Sequence, residues 1–272
     1  MYDIIIQSVH RAAEILNLFS YQRPRLGISE ISRALNLNKG TVQGLVRTLT
    51  RDGFLRQDEE TRKYQLGLKI YELGIILGGS LEINQKASDP AYQLAKRTQL
   101  LVEIAILDQH SALTTMKVYP RSVPFISQQF GPRVPLYGTA MGKALLAFLE
   151  QSEIDSYLKA TELVPYTSNT ITRKDTLLLK LQETRRRGFS VNREEHLFGS
   201  AAIGAPIYGA NGRVAASISI VGNPDEVMGA RKRTLARELM KTAFEISRLM
   251  GFSGGSSLFQ EPVGREKRKG KG

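Results

Sequence analysis

Apolar residues in the first fifty positions recur at helical spacing in three separate runs. Over 7–20 they follow the i, i+3, i+4, i+7 pattern of an amphipathic helix. A short second helix is predicted over 29–35, with Ser29 as its N-cap. A third helix is predicted over 39–51, where Asn38 is the N-cap and the apolar residues share one face.

The third helix is followed by a stop signal and two strand-like runs. Gly53 is expected to end the helix because glycine readily adopts the left-handed conformation of a helix C-terminus. The runs 54–57 and 62–66 flank the polar turn 58–61, which predicts a two-stranded ribbon. Three helices followed by such a ribbon are the arrangement of a winged helix-turn-helix.

From residue 68 onward the pattern changes. An apolar stretch predicts a linker helix over 68–84, although it contains three glycines, which are poor helix formers. Beyond it strands and helices alternate, and Asn211-Gly212 predicts a hairpin between the last two strands. The predicted strands are 100–107, 112–118, 125–130, 201–207 and 214–221, and the predicted helices are 89–98, 140–150, 174–187 and 229–250.

These elements predict an α+β chain with two domains. We expect residues 1–67 to form the winged helix-turn-helix, 68–84 a linker helix and 85–252 a second, α/β domain. Residues 253–272 are rich in Gly, Ser and Lys and are expected to form a basic, disordered tail.

The outward face of the third predicted helix carries the candidate DNA-binding side chains. The side-chain amide of Gln43 has both the donor and the acceptor that bond an adenine edge, and Lys39 and Arg47 suit guanine edges or phosphates. Gly40 and Gly44 each weaken the helix by about 1 kcal/mol relative to alanine, but they remove bulk where a backbone must approach a groove. The alternative is a solvated polar face on an ordinary three-helix domain, and the face alone does not decide between the two.

The ribbon favours the DNA-binding interpretation. Arg62 and Lys63, expected on its second strand, are suited to phosphates, whereas the acidic tip at 58–60 would be repelled by them. The flank of the wing rather than its tip is therefore expected to contact DNA. The expected DNA contacts are Ser29, Asn38, Lys39, Gly40, Thr41, Gln43, Gly44, Arg47, Arg62 and Lys63.

Composition adds limited support. The formal net charge of the 272-residue chain is +12, which favours a polyanionic partner. Residues 1–67 hold ten basic and seven acidic residues, however, so their own surplus is only three. No run approaches the roughly 18 consecutive apolar residues of a membrane span. The absence of cysteine and of a secretory pattern leads us to expect a cytoplasmic protein without disulfides or thiolate metal sites.

Six segments stand in one register along the chain. They are SVHRAAEILNLFS (8–20), GISEISRALNLNKGTVQGLVRTLTRDGFL (27–55), TRKYQLGLKIYELG (61–74), PLYGTAMGKALLAFL (135–149), RRRGFSVNREEHLFGSAAIGAPI (185–207) and AASISIVG (215–222). Together they resemble the IclR family of bacterial transcriptional regulators over roughly residues 7–252. The resemblance implies that the second domain is a GAF-like α/β effector-binding domain for a small organic or aromatic acid.

The resemblance also implies where that carboxylate effector binds, between the start of a helix and the sheet. By motif position the pocket residues would be Ala140, Met141, Asn192, Ala202 and Ser219. Met141, Asn192 and Val221 depart from better-known pockets of the family, which leaves the identity of the effector open.

The residues themselves leave two features of this pocket undecided. Alternation along 214–221 places Ser217 on the same face as Ser219, where both hydroxyls either bond a ligand or face solvent. Thr139 is predicted to cap a helix whose first N–H groups, at 140–142, are suited to a carboxylate. The simpler alternative is that Thr139 caps a purely structural helix.

The leading interpretation is a transcriptional repressor or activator that binds a palindromic operator as a dimer or tetramer, without catalytic residues, cofactor or metal. An enzyme is the second interpretation, with Glu194, Glu195 or His196 as acid–base groups. No nucleophile, metalloprotease or dinucleotide-binding motif supports it. The third is a protein that coats DNA without sequence preference, which would bind every duplex alike and depend steeply on salt.

Overall fold

The structure, a computed structural model, describes residues 5–120 and 131–255. The predicted strand 125–130 and most of the predicted tail 253–272 lie outside these ranges. The helices are α1 Gln7–Asn17, α2 Ile28–Leu35, α3 Lys39–Arg51, α4 Leu68–Ser80, α5 Glu82–Thr98, α6 Ala140–Leu146, α7 Gln151–Ala160, α8 Lys174–Arg187, α9 Pro224–Met228 and α10 Lys232–Leu249. The strands are β1 Leu55–Gln57, β2 Tyr64–Leu66, β3 Leu101–Asp108, β4 Ser111–Val118, β5 Arg133–Pro135, β6 Ser190–Arg193, β7 Ala201–Tyr208 and β8 Val214–Gly222.

The described chain divides into two compact units between Ser80 and Leu81. In the first, α1, α2 and α3 enclose an apolar core to which Ile15, Ile31 and Val46 contribute fully buried side chains. The antiparallel pair of β1 and β2 follows these helices. The predicted winged helix-turn-helix is therefore confirmed.

Two local predictions in this unit are wrong. Ser29 is not an N-cap, because α2 begins at Ile28 and its N-cap is Gly27, whose N–H donates to the Glu30 carboxylate at 2.6 Å. Arg62 and Lys63 do not lie on the second strand. Arg62 adopts a left-handed conformation with φ of 57°, so the turn extends past it and β2 begins only at Tyr64.

The prediction of one linker helix over 68–84 is also wrong, because the helix is interrupted. α4 ends at Ser80, Leu81 is extended, and α5 begins at Glu82 and continues through Pro90. Proline lacks the N–H of an interior helical residue, which is why the sequence suggests a start near 89. The buried residues Ile83 and Ala87 nevertheless hold the first turns of α5 against the core.

The second unit is built on a six-stranded antiparallel sheet in the order β5-β4-β3-β8-β7-β6. α5 and α10 cover one face, where Ile104, Ile203 and Ile218 are fully buried. α6 covers the other face, with α7 and α8 contributing to the core beyond it. The hairpin at Asn211-Gly212 is confirmed, and Gly212 has the positive φ, 74°, that such a turn requires.

None of the helices in the described ranges is long and apolar enough to cross a membrane.

Candidate DNA interface and effector site

α3 is fixed at its start by a side-chain cap. The Asn38 side-chain oxygen accepts the backbone N–H of Thr41 at 2.8 Å, which confirms the predicted N-cap. Val42, Val46 and Leu49 are buried on the inner face, so the opposite face of the helix is presented outward. Asn38 and Thr41, expected to contact DNA, thus also hold the helix end in place.

Three side chains stand in one row along this outward face. Lys39, Gln43 and Arg47 are separated by four residues each, the spacing at which helical side chains lie one above another. All three are exposed. Within the described ranges they form no hydrogen bond or ion pair with the rest of the chain. Their polar groups are therefore available to an external partner.

The two glycines of α3 lie beside this row. Apart from the adjoining backbone of α3, a methyl group at Gly44 would meet no atom within 4 Å, and one at Gly40 would meet only the Asn38 side-chain oxygen at 3.4 Å. Intramolecular packing therefore does not require glycine at position 44, although glycine weakens the helix by about 1 kcal/mol.

The wing offers less than the sequence suggests. Arg62 is exposed in the turn, but the Lys63 ammonium lies 3.1 Å from the Glu30 carboxylate of α2. Two hydrogen bonds lower the pKa of Glu30, and the one from the Gly27 N–H has a larger effect than the one from Lys63. Lys63 is thus partly neutralised, whereas Ser29 is exposed on α2. At the acidic tip Asp58 accepts two hydrogen bonds from Thr61, at 2.8 and 2.7 Å, which lower its pKa.

The sheet face beneath α6 carries the sensing-domain candidates. Cross-strand register places Ser219 between Glu103 of β3 and Gly204 of β7, and Ser217 between Ala105 and Pro206. Both serines are fully buried, and their hydroxyls have no hydrogen-bond partner among the described residues. The alternative that they face solvent is therefore wrong. An unsatisfied buried hydroxyl costs about 1–3 kcal/mol, so this face is suited to a polar ligand.

The start of α6 lies directly over this face. A methyl group at Gly204 would come within 2.7 Å of backbone atoms of Ala140, so the helix begins against β7. The Met141 side chain lies over the sheet and reaches β4, where its sulfur is 3.8 Å from the Thr114 hydroxyl. The structure thus places Ala140 and Met141 on the same side of the sheet as Ser217 and Ser219.

The cap of α6 is structural. The Thr139 hydroxyl accepts the N–H of Gly142 at 3.1 Å and donates to the carbonyl of Pro135 at 2.9 Å. The N–H of Gly142 is consequently not available to a carboxylate, so the expectation that the N–H groups at 140–142 all suit a carboxylate is wrong for Gly142. α6 is also short, with seven residues.

Asn192 and Ala202 form the far row of the same face, where they are cross-strand neighbours on β6 and β7. The Asn192 amide donates to the carbonyl of Gly138 at 2.5 Å and accepts the N–H of Glu195 at 3.2 Å. The nitrogen and the oxygen of its side-chain amide therefore both bond to the protein. Asn192 connects the segment before α6 to the loop after β6 and is oriented by those bonds.

The candidate acid–base residues are engaged in the protein as well. The Lys143 ammonium, 2% exposed, lies 2.5 Å from the Glu195 carboxylate. Burial lowers the pKa of Lys143, and Glu195 opposes that shift. Glu194 accepts the N–H of Gly199 at 2.8 Å. His196 packs edge-on against Tyr166 with ring centres 4.7 Å apart, and burial lowers its pKa.

One buried acid on the same face was not singled out from the sequence. Glu103 is 5% exposed, and its carboxylate lies 3.1 Å from the Lys117 ammonium, opposite on β4. Burial raises the pKa of Glu103, and the ammonium opposes that shift. The signal that could have found it is a lone acid within the apolar run 101–107. No cluster of His, Cys, Asp and Glu able to hold a metal occurs in the described ranges.

Comparison with known proteins agrees with this arrangement. The family model for the bacterial transcriptional regulator IclR C-terminal domain matches residues 78–248, and that for the IclR helix-turn-helix domain matches residues 8–59. The chain is 32% identical to the HTH-type transcriptional regulator XynR of Escherichia coli, over 91% of this chain and 98% of that protein.

Solved structures show the same likeness. The IclR protein of Thermotoga maritima is 30% identical with a TM-score of 0.69, covering 91% of this chain and 100% of its own. An IclR homolog from Microbacterium hydrocarbonoxydans, solved in complex with 4-hydroxybenzoate, shares the fold with a TM-score of 0.75 at 22% identity, over 89% of this chain and 98% of its own. The chain belongs to the IclR family of bacterial transcriptional regulators, with an N-terminal helix-turn-helix DNA-binding domain and a C-terminal effector-binding domain.

Proposed function

We propose that α3 enters the major groove of a specific operator and that Lys39, Gln43 and Arg47 recognise base edges there. The observation that carries this proposal is the row of three exposed polar side chains next to two glycines that the protein's own packing does not explain. Gln43 suits adenine, and the two cations suit guanine or phosphates. Ser29 and Arg62, both exposed, are the proposed flanking contacts. Lys63 would contribute only by leaving Glu30.

We propose that two copies bind together through α4. This helix has no buried residue, and Leu68, Tyr71 and Ile76 are each more than 60% exposed. Apolar surface of this extent on a single helix favours a partner of similar character. A second copy supplies it and also matches the two-fold symmetry of a palindromic operator. A charge at Ile76, as in Ile76→Asp, should then shift the chain toward monomer in analytical ultracentrifugation. An unchanged sedimentation profile would contradict the proposal.

We propose that the effector is a small carboxylate held between the start of α6 and the sheet. The two unpartnered serines support this site, because their buried hydroxyls need hydrogen-bond partners and a serine hydroxyl has a proton to donate to a carboxylate oxygen. Ala140, Met141 and Ala202 would provide the surrounding surface, and Asn192 would hold the loop after β6 in place. The effector would bind one arrangement of the sensing domains better than another and so change operator affinity.

The chain is proposed to act in the cytoplasm and to have no catalytic activity. The absence of catalytic activity is supported by the contacts within the protein that hold each of the candidate acid–base residues, Glu194, Glu195 and His196. The relatives that the chain resembles are regulators.

The proposed recognition of an operator by α3 is tested by a binding measurement. The affinity for the DNA immediately upstream of the protein's own gene is compared with that for a shuffled duplex of the same length at the same salt concentration. We expect a preference of about three decades or more. Gln43→Ala and Arg47→Ala should reduce binding to the upstream duplex more than to the shuffled one. Arg173→Ala, an exposed arginine in the second unit, is the matched control and should leave both affinities unchanged.

Two outcomes would contradict the proposal. Equal losses on both duplexes would assign the α3 side chains to phosphate contact alone. Similar wild-type affinity for every duplex, with a steep dependence on salt, would instead support a protein that coats DNA.

A further inference from the structure

A buried carboxylate lies in the proposed effector site. Glu103 is the third residue of β3, directly between Lys117 on β4 and Ser219 on β8. Its neighbours in sequence, Val102 and Ile104, point to the opposite face and are fully buried among apolar residues. Glu103 therefore faces α6, on the side of the sheet that carries both unpartnered serines.

Burial of the Glu103 carboxylate costs free energy, because the charged group loses its contacts with water. A buried carboxylate needs several hydrogen bonds to offset the loss of water, and it has about four acceptor positions. The described residues give Glu103 one partner, the Lys117 ammonium at 3.1 Å. The Glu103 carboxylate, on the effector's side of the sheet, can therefore accept a further hydrogen bond.

Ser219 supplies the complementary group. It is the cross-strand neighbour of Glu103, and its hydroxyl is fully buried without bonding to that carboxylate. A donor and an acceptor therefore stand side by side and do not satisfy each other. A ligand hydroxyl fits both, because it accepts from Ser219 through its oxygen and donates its proton to Glu103. A ligand carboxylate at this point would be repelled by Glu103.

Ser217 has different surroundings. Its cross-strand neighbours are Ala105 and Pro206, so no fixed negative charge lies beside it. A carboxylate can accept from this hydroxyl without repulsion. Residues two apart on one strand are separated by about 7 Å, so the two ends of the ligand are separated by a comparable distance.

We propose that Glu103 and Ser219 together bind a hydroxyl group of the effector, while Ser217 binds its carboxylate. The ligand is then a hydroxy acid whose hydroxyl lies at the far end from the carboxylate. This assignment rests on the proposed effector site and extends it by naming the ligand class and a specificity-determining residue.

The experiment measures binding of matched acids to the full chain by isothermal titration calorimetry. The probes are 4-hydroxybenzoate against benzoate, 4-hydroxybenzoate against 2-hydroxybenzoate, and 6-hydroxyhexanoate against hexanoate. The first acid of at least one pair should bind the wild-type chain about tenfold or more tightly than the second, since its hydroxyl bonds a charged acceptor. Glu103→Gln should reduce that ratio to about threefold or less, because the charge of the acceptor is lost.

Three further variants complete the test. Ser219→Ala should also reduce the ratio, whereas Ser217→Ala should weaken both acids of a pair by a similar factor. Glu162→Gln, an exposed acid of the same unit, should change neither value. If Glu103→Gln unfolds the chain, the paired variant Glu103→Leu with Lys117→Leu removes both charges together and should give the same loss of discrimination.

The proposal is overturned if no hydroxy acid binds, if the wild-type chain does not discriminate within any pair, or if the ratio survives in the Glu103 variants. These failures are distinct from a failure of the DNA-binding function. That function is judged separately, by whether Gln43→Ala selectively weakens binding to the upstream duplex.

Discussion

Gly44 offers a substitution for which stability and DNA binding should change in opposite directions. The residue lies in the middle of α3, between Gln43 and Arg47, and a methyl group there would meet no atom within 4 Å apart from the adjoining backbone of the helix. Gly44→Ala should therefore raise the free energy of unfolding by about 1 kcal/mol, the difference in helix propensity between the two residues. Urea unfolding followed by circular dichroism measures this gain.

The same methyl group should impair operator binding. If α3 lies in the major groove, the backbone beside Gln43 faces the bases, and added bulk must move the helix outward. We expect the affinity to fall at least about tenfold, which corresponds to about 1.4 kcal/mol. Fluorescence anisotropy on the upstream duplex measures it. Asn17→Ala, an exposed position on α1, is the control, because it should stabilise a helix without affecting DNA binding. A Gly44→Ala variant that is more stable and binds DNA with undiminished affinity would refute the proposed orientation of α3.

Three further substitutions test the interactions that hold the two sites. Asn38→Ala removes the α3 cap and should lower the free energy of unfolding by about 1 kcal/mol in urea titrations; no loss would mean that the cap is dispensable. Ser219→Ala removes an unsatisfied buried hydroxyl and should stabilise the effector-free chain by about 1–3 kcal/mol. A destabilised variant would indicate that the hydroxyl is already satisfied. Lys143→Met leaves Glu195 without its cation and should cost about 3–5 kcal/mol, and adding Glu195→Leu should recover most of that loss. If the double variant is as unstable as the single one, the ion pair is not the cause.

The DNA-binding helix was predictable because its determinants are local. Asn38, the spacing of the apolar residues and Gly53 all lie within sixteen consecutive residues, and α3 has the predicted bounds. The second strand of the wing was predicted too long, since nothing in the sequence indicates that Arg62 adopts a left-handed conformation. Gly27 and Glu30 likewise displaced the predicted cap at Ser29.

The effector-binding domain was harder to predict from the sequence, because its features depend on tertiary packing. β5 and β6 have three and four residues and become strands only by pairing with β4 and β7. α5 continues through Pro90 because its buried face holds it against the core. Alternation correctly placed Ser217 and Ser219 on one face. Only the sheet order, which brings β3 beside β8, shows that Glu103 lies next to Ser219.

The central claim is that ligand binding beside Ser217 and Ser219 controls DNA binding by α3. The direct measurement is the affinity for the upstream duplex over a titration with the tightest-binding of the hydroxy acids named above, in the wild-type chain and in a Ser217→Ala, Ser219→Ala double variant. We expect the acid to change wild-type affinity by about 5- to 150-fold, the usual range of coupling between two sites. The double variant should bind DNA normally without the acid and respond only at much higher concentrations. An operator affinity that is independent of the acid, or an identical response in both proteins, would contradict the account.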